Sequence, residues 1–306
     1  MGTKRLSEAG PHLELVARHT TRAMFEMARA RPPAARRALE RALAIAPTDT
    51  DALSLLTTLD GRTNCTPDAV ARVAAAAAQP QASANLLLLA ARTQAATGNV
   101  KEAERLARQV LAAHPSSPAS YQLLGEIYAS AGRLAEAQRE FEQIVHLDPA
   151  SVMAHTMVGI LLQMQNRPAD AEQRYQAALQ ADPRRAGVAA NNLAWLIAER
   201  SGNLDVALQY AQAAVAALPE SGGSLNTLGW IYYRKSMPER AVAALRDAVD
   251  KEPGSARYHY HLGLAYAAAG DAMLAKRALE QALPLQPNFN GSTDARLVLG
   301  RLTTRQ

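Results

Sequence analysis

A chain of 306 residues with 48% hydrophobic residues, only 5% aromatics and three Phe is alanine-rich and poor in strand-forming patterns, which points to closely packed helices and argues against sheets. One cysteine, Cys65, excludes an internal disulfide and a Cys-based zinc site. No run of 18 apolar residues occurs, so no bilayer-spanning helix is expected, and the net charge of +5 is concentrated at one end.

That end comes first. Residues 1–41 hold nine Lys/Arg against four Glu. The opening residues, MGTKRLSEAG, are basic but lack a continuous apolar stretch, so an intact signal peptide is not expected; a removed leader and either a cytoplasmic or a periplasmic setting stay open. A basic terminus can meet an anionic surface or nucleic acid, but no aromatics interleave with the arginines as base-stacking would need, which disfavours nucleic acid and favours a solvated helical hairpin. Residues 1–15, with Leu13 and Leu15, are expected to cap the first end of a helical array.

Beyond them a fixed ruler runs along the chain. Pro47, Pro115, Pro149, Pro183, Pro219, Pro253 and Pro287 are spaced by 68, 34, 34, 36, 34 and 34 residues. Residues 16–49 (Ala23, Ala35, Leu39, Ala42, Pro47) and 50–83 (Leu53, Leu56, Ala69, Val73, Ala76) are degenerate copies, with Cys65 in the turn of the second. A fair copy comes next, with Ala91, Gly98, Ala103, Val110 and Pro115.

The clearest unit runs from Pro118 to Ser151. Tyr121, Leu124, Gly125 and Tyr128 make one helical stripe, Gly132 stops that helix, Ala137, Phe141 and Ile144 make a second, and Pro149 ends it. Small residues at Gly125 and Ala137 let two helix backbones approach closely. Later units repeat the pattern through Gly159/Tyr175, Ala194/Ala211, Gly229/Ala248 and Gly263/Leu279. The unit spanning 186–221 carries two extra residues, one before its first helix and one in the turn around Ser201-Gly202-Asn203. After Asn290, Ser292 or Thr293 can cap a last helix bearing Leu297, Val298 and Leu302, which is expected to cover the end of the stack.

A 34-residue helix–turn–helix period with these small and aromatic positions resembles the tetratricopeptide repeat (TPR) family over residues 16–289, in about eight units. The resemblance implies an all-α, right-handed α-solenoid: a cap at 1–15, two degenerate units at 16–83, six units at 84–289 and a capping helix at 290–306. It further implies a non-catalytic protein-interaction scaffold whose first helices line a concave groove. The stretches NNLAWLIAE, LNTLGWIYYRK and YHYHLGLAYAAAGD are also similar to the ends of bacterial TPR proteins of exopolysaccharide, exosortase (PEP-CTERM) and cellulose-export systems, which would imply an assembly role at the envelope.

Helical spacing turns positions two, five, nine and twelve of each first helix towards the groove. In the strong C-terminal units this nominates Asn191 and Trp195 with Glu199, then Asn226, Trp230 and Tyr233 with Arg234, then Arg257, Tyr260 and Leu264. Amides beside aromatic rings make a peptide clamp, the amides pairing with backbone groups and the rings covering apolar side chains; wedging between neighbouring helices is the competing use of the same residues. Asn191, Asn192, Asn226 and Arg257 only partly echo the Lys/Asn/Arg set that chaperone-binding TPRs use for a terminal carboxylate. His155 and His259 fall on the packing stripe, and His259 and His261, two apart, diverge on a helix, so structural roles are expected, with no metal and no cofactor. No nucleophile–base pair or phosphate loop is legible, so catalysis is not expected. Self-association through residues 16–83 is a further expectation.

Overall fold

The computed structural model describes residues 2–63, 66–200 and 202–303; Cys65 and Ser201, both placed in turns by the sequence, lie outside them. Among the described residues there are 17 helices and no strand, the all-α repeat solenoid the period predicts. Two compact units divide the chain, Met1–Gln143 and Ile144–Gln306.

In the first unit, α1 (Gly2–Ala28) pairs with α2 (Pro32–Ile45), α3 (Thr50–Thr63) with α4 (Thr66–Ala77), and α5 (Ala84–Ala96) with α6 (Val100–Ala113); α7 (Pro118–Ser130) and α8 (Leu134–Leu147) come after them. The segment before Val16 is not a separate piece but continues α1 without a break. Small buried residues let α1 and α2 close on each other, with Val16, Ala23, Ala35, Leu39 and Ala42 in one cluster with Ala52 and Leu56 of α3. The Arg36 guanidinium of α2 is paired with Asp60 of α3, a carboxylate that is 1% exposed. Between α6 and α7, Glu104 accepts from the Tyr128 hydroxyl (2.8 Å), Arg133 Nη1 (2.9 Å) and Arg108 Nε (3.0 Å). Burial alone would raise the Glu104 carboxyl; these three donors outweigh it and hold it at about 2.

In the second unit, α9 (Val152–Met164), α11 (Gly187–Glu199), α13 (Gly222–Arg234) and α15 (Ala256–Ala268) are first helices of 13 residues. Their partners α10 (Pro168–Ala181), α12 (Leu204–Ala217), α14 (Pro238–Lys251) and α16 (Ala272–Leu285) have 14, and α17 (Ser292–Thr303) closes the series. Neighbouring first helices pack side by side, α9 on α11, α11 on α13, α13 on α15 and α15 on α17. The two extra residues of the long repeat fall between helices, in the connection from α10 to α11 and in the turn from α11 to α12.

Close approach explains the eighth-position glycines. A Cβ on Gly125 would sit 2.5 Å from the Phe141 ring, one on Gly159 2.5 Å from Tyr175, and one on Gly229 2.5 Å from Leu245. Each ring or branched chain lies in the space the missing side chain leaves, so a methyl group there forces the helices apart. Turns between paired helices need left-handed backbone: Gly132 (φ 73°) with Arg133 donates back to Ala129 and Tyr128 carbonyls at 3.1 and 2.8 Å, closing a Schellman turn. Asn166 (φ 57°) and Ser236 (φ 56°) hold the same turn without glycine.

The joints between units have their own device. At position four the Tyr121 hydroxyl donates to the Pro115 carbonyl (3.0 Å), His155 Nε2–H to Pro149 (3.0 Å) and His259 Nε2–H to Pro253 (2.9 Å). The two histidines therefore carry the structural role expected of them. On α17, Ala295 is buried with Phe289, and Val298 and Leu302 pack against them, whereas Leu297, expected on the same face, is 55% exposed.

Candidate functional site

The tryptophans stand at matching positions on adjacent first helices, α11 and α13, one turn or more from either end, so their backbones are rigid and their rings meet. Trp195 and Trp230 have centroids 6.4 Å apart, tilted by 30°. The ring that joins them is His261 of α15, 4.3 Å from Trp230 and 6.0 Å from Trp195, stacked on both. Tyr233 stacks on Trp230 from within α13, at 5.2 Å. Offset stacking of this kind adds to the area the rings bury.

His261 is absent from the positions the repeat register nominates. Its Nδ1–H donates to Asn226 Oδ1 at 2.8 Å, and burial, with the charge of Arg257 second, lowers the imidazole to about 3. The ring is a neutral, buried support under two half-exposed indoles. A signal for it exists in the sequence. His261 comes 31 residues after Trp230, one repeat less one helical turn, the separation that also joins Glu199 to Trp230.

The nominated residues divide into two groups. Asn191, Trp195, Trp230, Tyr233 and Arg234 are half-buried, while Glu199 and Arg257 are exposed; these sit on or beside the ring cluster. Trp230 Nε1–H donates to Glu199 Oε1 (3.2 Å), Arg234 Nη1 to the Ala198 carbonyl near the end of α11 (3.2 Å), and Arg257 lies 5.6 Å from the Trp195 centroid. Asn226, Tyr260 and Leu264 are instead 1%, 8% and 7% exposed, which corrects the expectation that they face the groove. Position five and nine side chains on α15 are covered by α17: the Tyr260 hydroxyl donates to Asp294 (2.8 Å), and Leu264 packs with Phe289 and Ala295. Asn226 is spent on His261. The Asn191 amide is only partly used, its Nδ2 donating to Asn192 at 3.4 Å while its Oδ1 has no partner among the described residues.

The tryptophans wedge between neighbouring first helices, and each stays partly exposed. Trp230 packs against the α15–α17 cluster, and both rings keep an outer face. Among the described residues no group of three or more His, Cys, Asp or Glu side chains could hold a metal ion, and no helix is long and apolar enough to cross a membrane.

Comparison with known proteins places this architecture. Solved structures similar in fold include the Cut9–Hcn1 complex of the APC/C (TM-score 0.65, 16% identity, 88% of this chain and 52% of that one). Others are PilW, a type IV pilus biogenesis factor (0.58, 20%, 69% and 97%), and a tetratricopeptide repeat protein from Parabacteroides merdae (0.56, 16%, 83% and 98%). Identities this low bear on the fold alone. Among curated proteins, the NatB auxiliary subunit N-alpha-acetyltransferase 25 of Homo sapiens, with its Rattus norvegicus and Mus musculus counterparts, is 33% identical over 94 residues. The match covers 30% of this chain and 10% of those proteins, so the chain spans about a tenth of the length of these relatives. Tetratricopeptide repeat profiles match residues 94–161, 156–222 and 226–292, more than half of the sequence. The chain belongs to the tetratricopeptide repeat family, a family of protein-interaction scaffolds that are generally non-catalytic.

Proposed function

We propose that this chain holds a peptide or helix of a partner protein on the first-helix face of α11, α13 and α15. The observation that carries this is the pair of half-exposed indoles braced from below by the buried His261: large rings with outer faces still wet and their orientation already fixed lose little entropy on binding. Replacing Trp195 and Trp230 together by Ala, with partner capture and thermal midpoint measured side by side, tests it. Capture should fall well beyond what any loss of stability explains; unchanged capture by a destabilised protein refutes it. The similarity of the C-terminal half to bacterial exopolysaccharide and exosortase TPR proteins supports a setting in an envelope or polysaccharide-export assembly, which a tagged pull-down from the native organism checks.

A second reading concerns the first unit. Leu13, Met24 and Phe25 of α1 are 65%, 49% and 55% exposed, the pattern of a face that meets a second copy of the chain. Light scattering on the full chain and on a Leu13→Glu/Met24→Glu variant decides it, equal masses arguing against self-association.

A further inference from the structure

Position two of the first helices forms the edge of the ring site, and its chemistry changes along the second unit. Met153 on α9 and Val188 on α11 are 39% and 47% exposed, α13 has Gly223 there, and α15 has the exposed Arg257. The bare Gly223 leaves a gap between an apolar end and a cationic one.

Arg257 is an exposed arginine set against the ring cluster. Arg105, Arg108, Arg133, Arg167 and Arg200 each meet a carboxylate within 4.0 Å. Among the described residues no carboxylate lies within that distance of Arg257; its guanidinium is spread between the Trp195 ring at 5.6 Å and the Tyr258 ring at 5.8 Å, with one N–H towards the Tyr258 hydroxyl. Of the carboxylates nearby, Glu199 accepts from Trp230 and Asp294 from Tyr260, while Glu252 and Arg257 face the same Tyr258 hydroxyl. A guanidinium resting on aromatic faces keeps its remaining edge N–H groups for a planar acceptor, so the site holds an exposed positive charge beside the rings.

We infer that the partner segment is acidic and apolar: an internal Asp or Glu side chain seats on Arg257 while an apolar residue lies along Val188 and the two indoles. This rests on the groove reading of the indoles. A chain-terminal carboxylate fits less well, because it needs several donors and the Asn226 amide is already buried against His261. The Arg257 guanidinium lies 5.6 Å from the Trp195 ring, so the partner carries its acidic residue within about two positions of the apolar one that covers the indoles.

The probe is a library of random dodecapeptides displayed internally on phage, panned on the full chain and counter-selected on the Trp195→Ala/Trp230→Ala variant. Synthetic amidated peptides from the winners are then titrated. Enrichment of Asp or Glu within about two residues of an aliphatic or aromatic residue is expected. Arg257→Gln should weaken binding about tenfold, with Arg257→Lys between, and Asp→Asn or Glu→Gln in the peptide should cost the wild type the same factor but cost Arg257→Gln nothing further. Peptides that need the tryptophans yet carry no acidic residue, or that bind Arg257→Gln as tightly as wild type, overturn this inference and leave the groove reading standing. Much tighter binding of a winning peptide as its free acid than as its amide overturns it as well. No tryptophan-dependent enrichment at all removes both. Arg257 is exposed, so its variants should melt with the wild type, which circular dichroism verifies.

Discussion

Acidification from pH 7.5 to 5 should destabilise the unit that contains His261, and this one residue should account for a measurable share. In the folded chain the imidazole titrates at about 3, because it is buried under two indoles and faces the charge of Arg257. In the unfolded chain it titrates near 6.5. Between those values the unfolded state takes up a proton that the folded state refuses, so stability is complete above about pH 6.5 and falls as the pH drops towards 3. At pH 5 the loss is about 2 kcal/mol, since each pH unit below the unfolded value costs about 1.4 kcal/mol. For a unit of this size that lowers the melting midpoint by about 4–8 °C. Tryptophan fluorescence is a well-placed assay, because the only two tryptophans of the chain are the rings that touch His261. His261→Gln keeps a polar partner for Asn226 and does not titrate, and the other histidines are common to both proteins. The wild type should therefore lose about 2 kcal/mol more than the variant between pH 7.5 and 5. Parallel stability curves for the two proteins would refute the reasoning.

Packing dictates three further outcomes. Gly159→Ala pushes a methyl group to 2.5 Å from the buried Tyr175 ring, and the strain of about 1–3 kcal/mol should exceed the helix-propensity gain of up to about 1 kcal/mol, seen as a lower urea midpoint. Ser236→Gly relieves a left-handed residue (φ 56°) in the turn between α13 and α14 and should raise stability by roughly 0.5–1 kcal/mol in the same titration; a loss would show that the serine side chain holds the turn. Arg36→Leu removes the cation from the buried Asp60 carboxylate and should cost about 3–5 kcal/mol by thermal denaturation, with a cost under about 1 kcal/mol contradicting the importance given to that pair.

The repeat was legible because its signals are steric and local. A proline costs a helix one backbone hydrogen bond, so the evenly spaced Pro115, Pro149, Pro183, Pro219, Pro253 and Pro287 mark the exits of second helices, and glycines at position eight mark contacts that admit no Cβ. The site was legible only in part. Helical spacing tells which way a side chain leaves its own helix but not what the next helix brings against it. Asn226 and Tyr260 point as the register predicts and are nevertheless buried, the first by His261 and the second by α17. Tertiary contacts between first helices occur at separations near 31 and 35 residues, one repeat shifted along the helix, and a reading confined to one unit passes over them. Leu297 shows the same limit: its apolar character suited a covering face, but α17 presents Val298 and Leu302 inward instead.

The hydrogen bond from position four to the preceding proline carbonyl has a mechanical corollary. Tyr121, His155 and His259 each bolt a first helix to the turn before it, whereas the residues at that position on α11 and α13 are Ala190 and Leu225, which have no side-chain donor. The first helices within Ile144–Gln306 are therefore held by different means. Helices α11 and α13 lack this bond to the preceding turn and are tied to each other instead by Trp230 to Glu199 and by Arg234 to the Ala198 carbonyl. The tryptophan pair is thus braced from helix to helix, through Glu199, Arg234 and His261, and not through the proline turns.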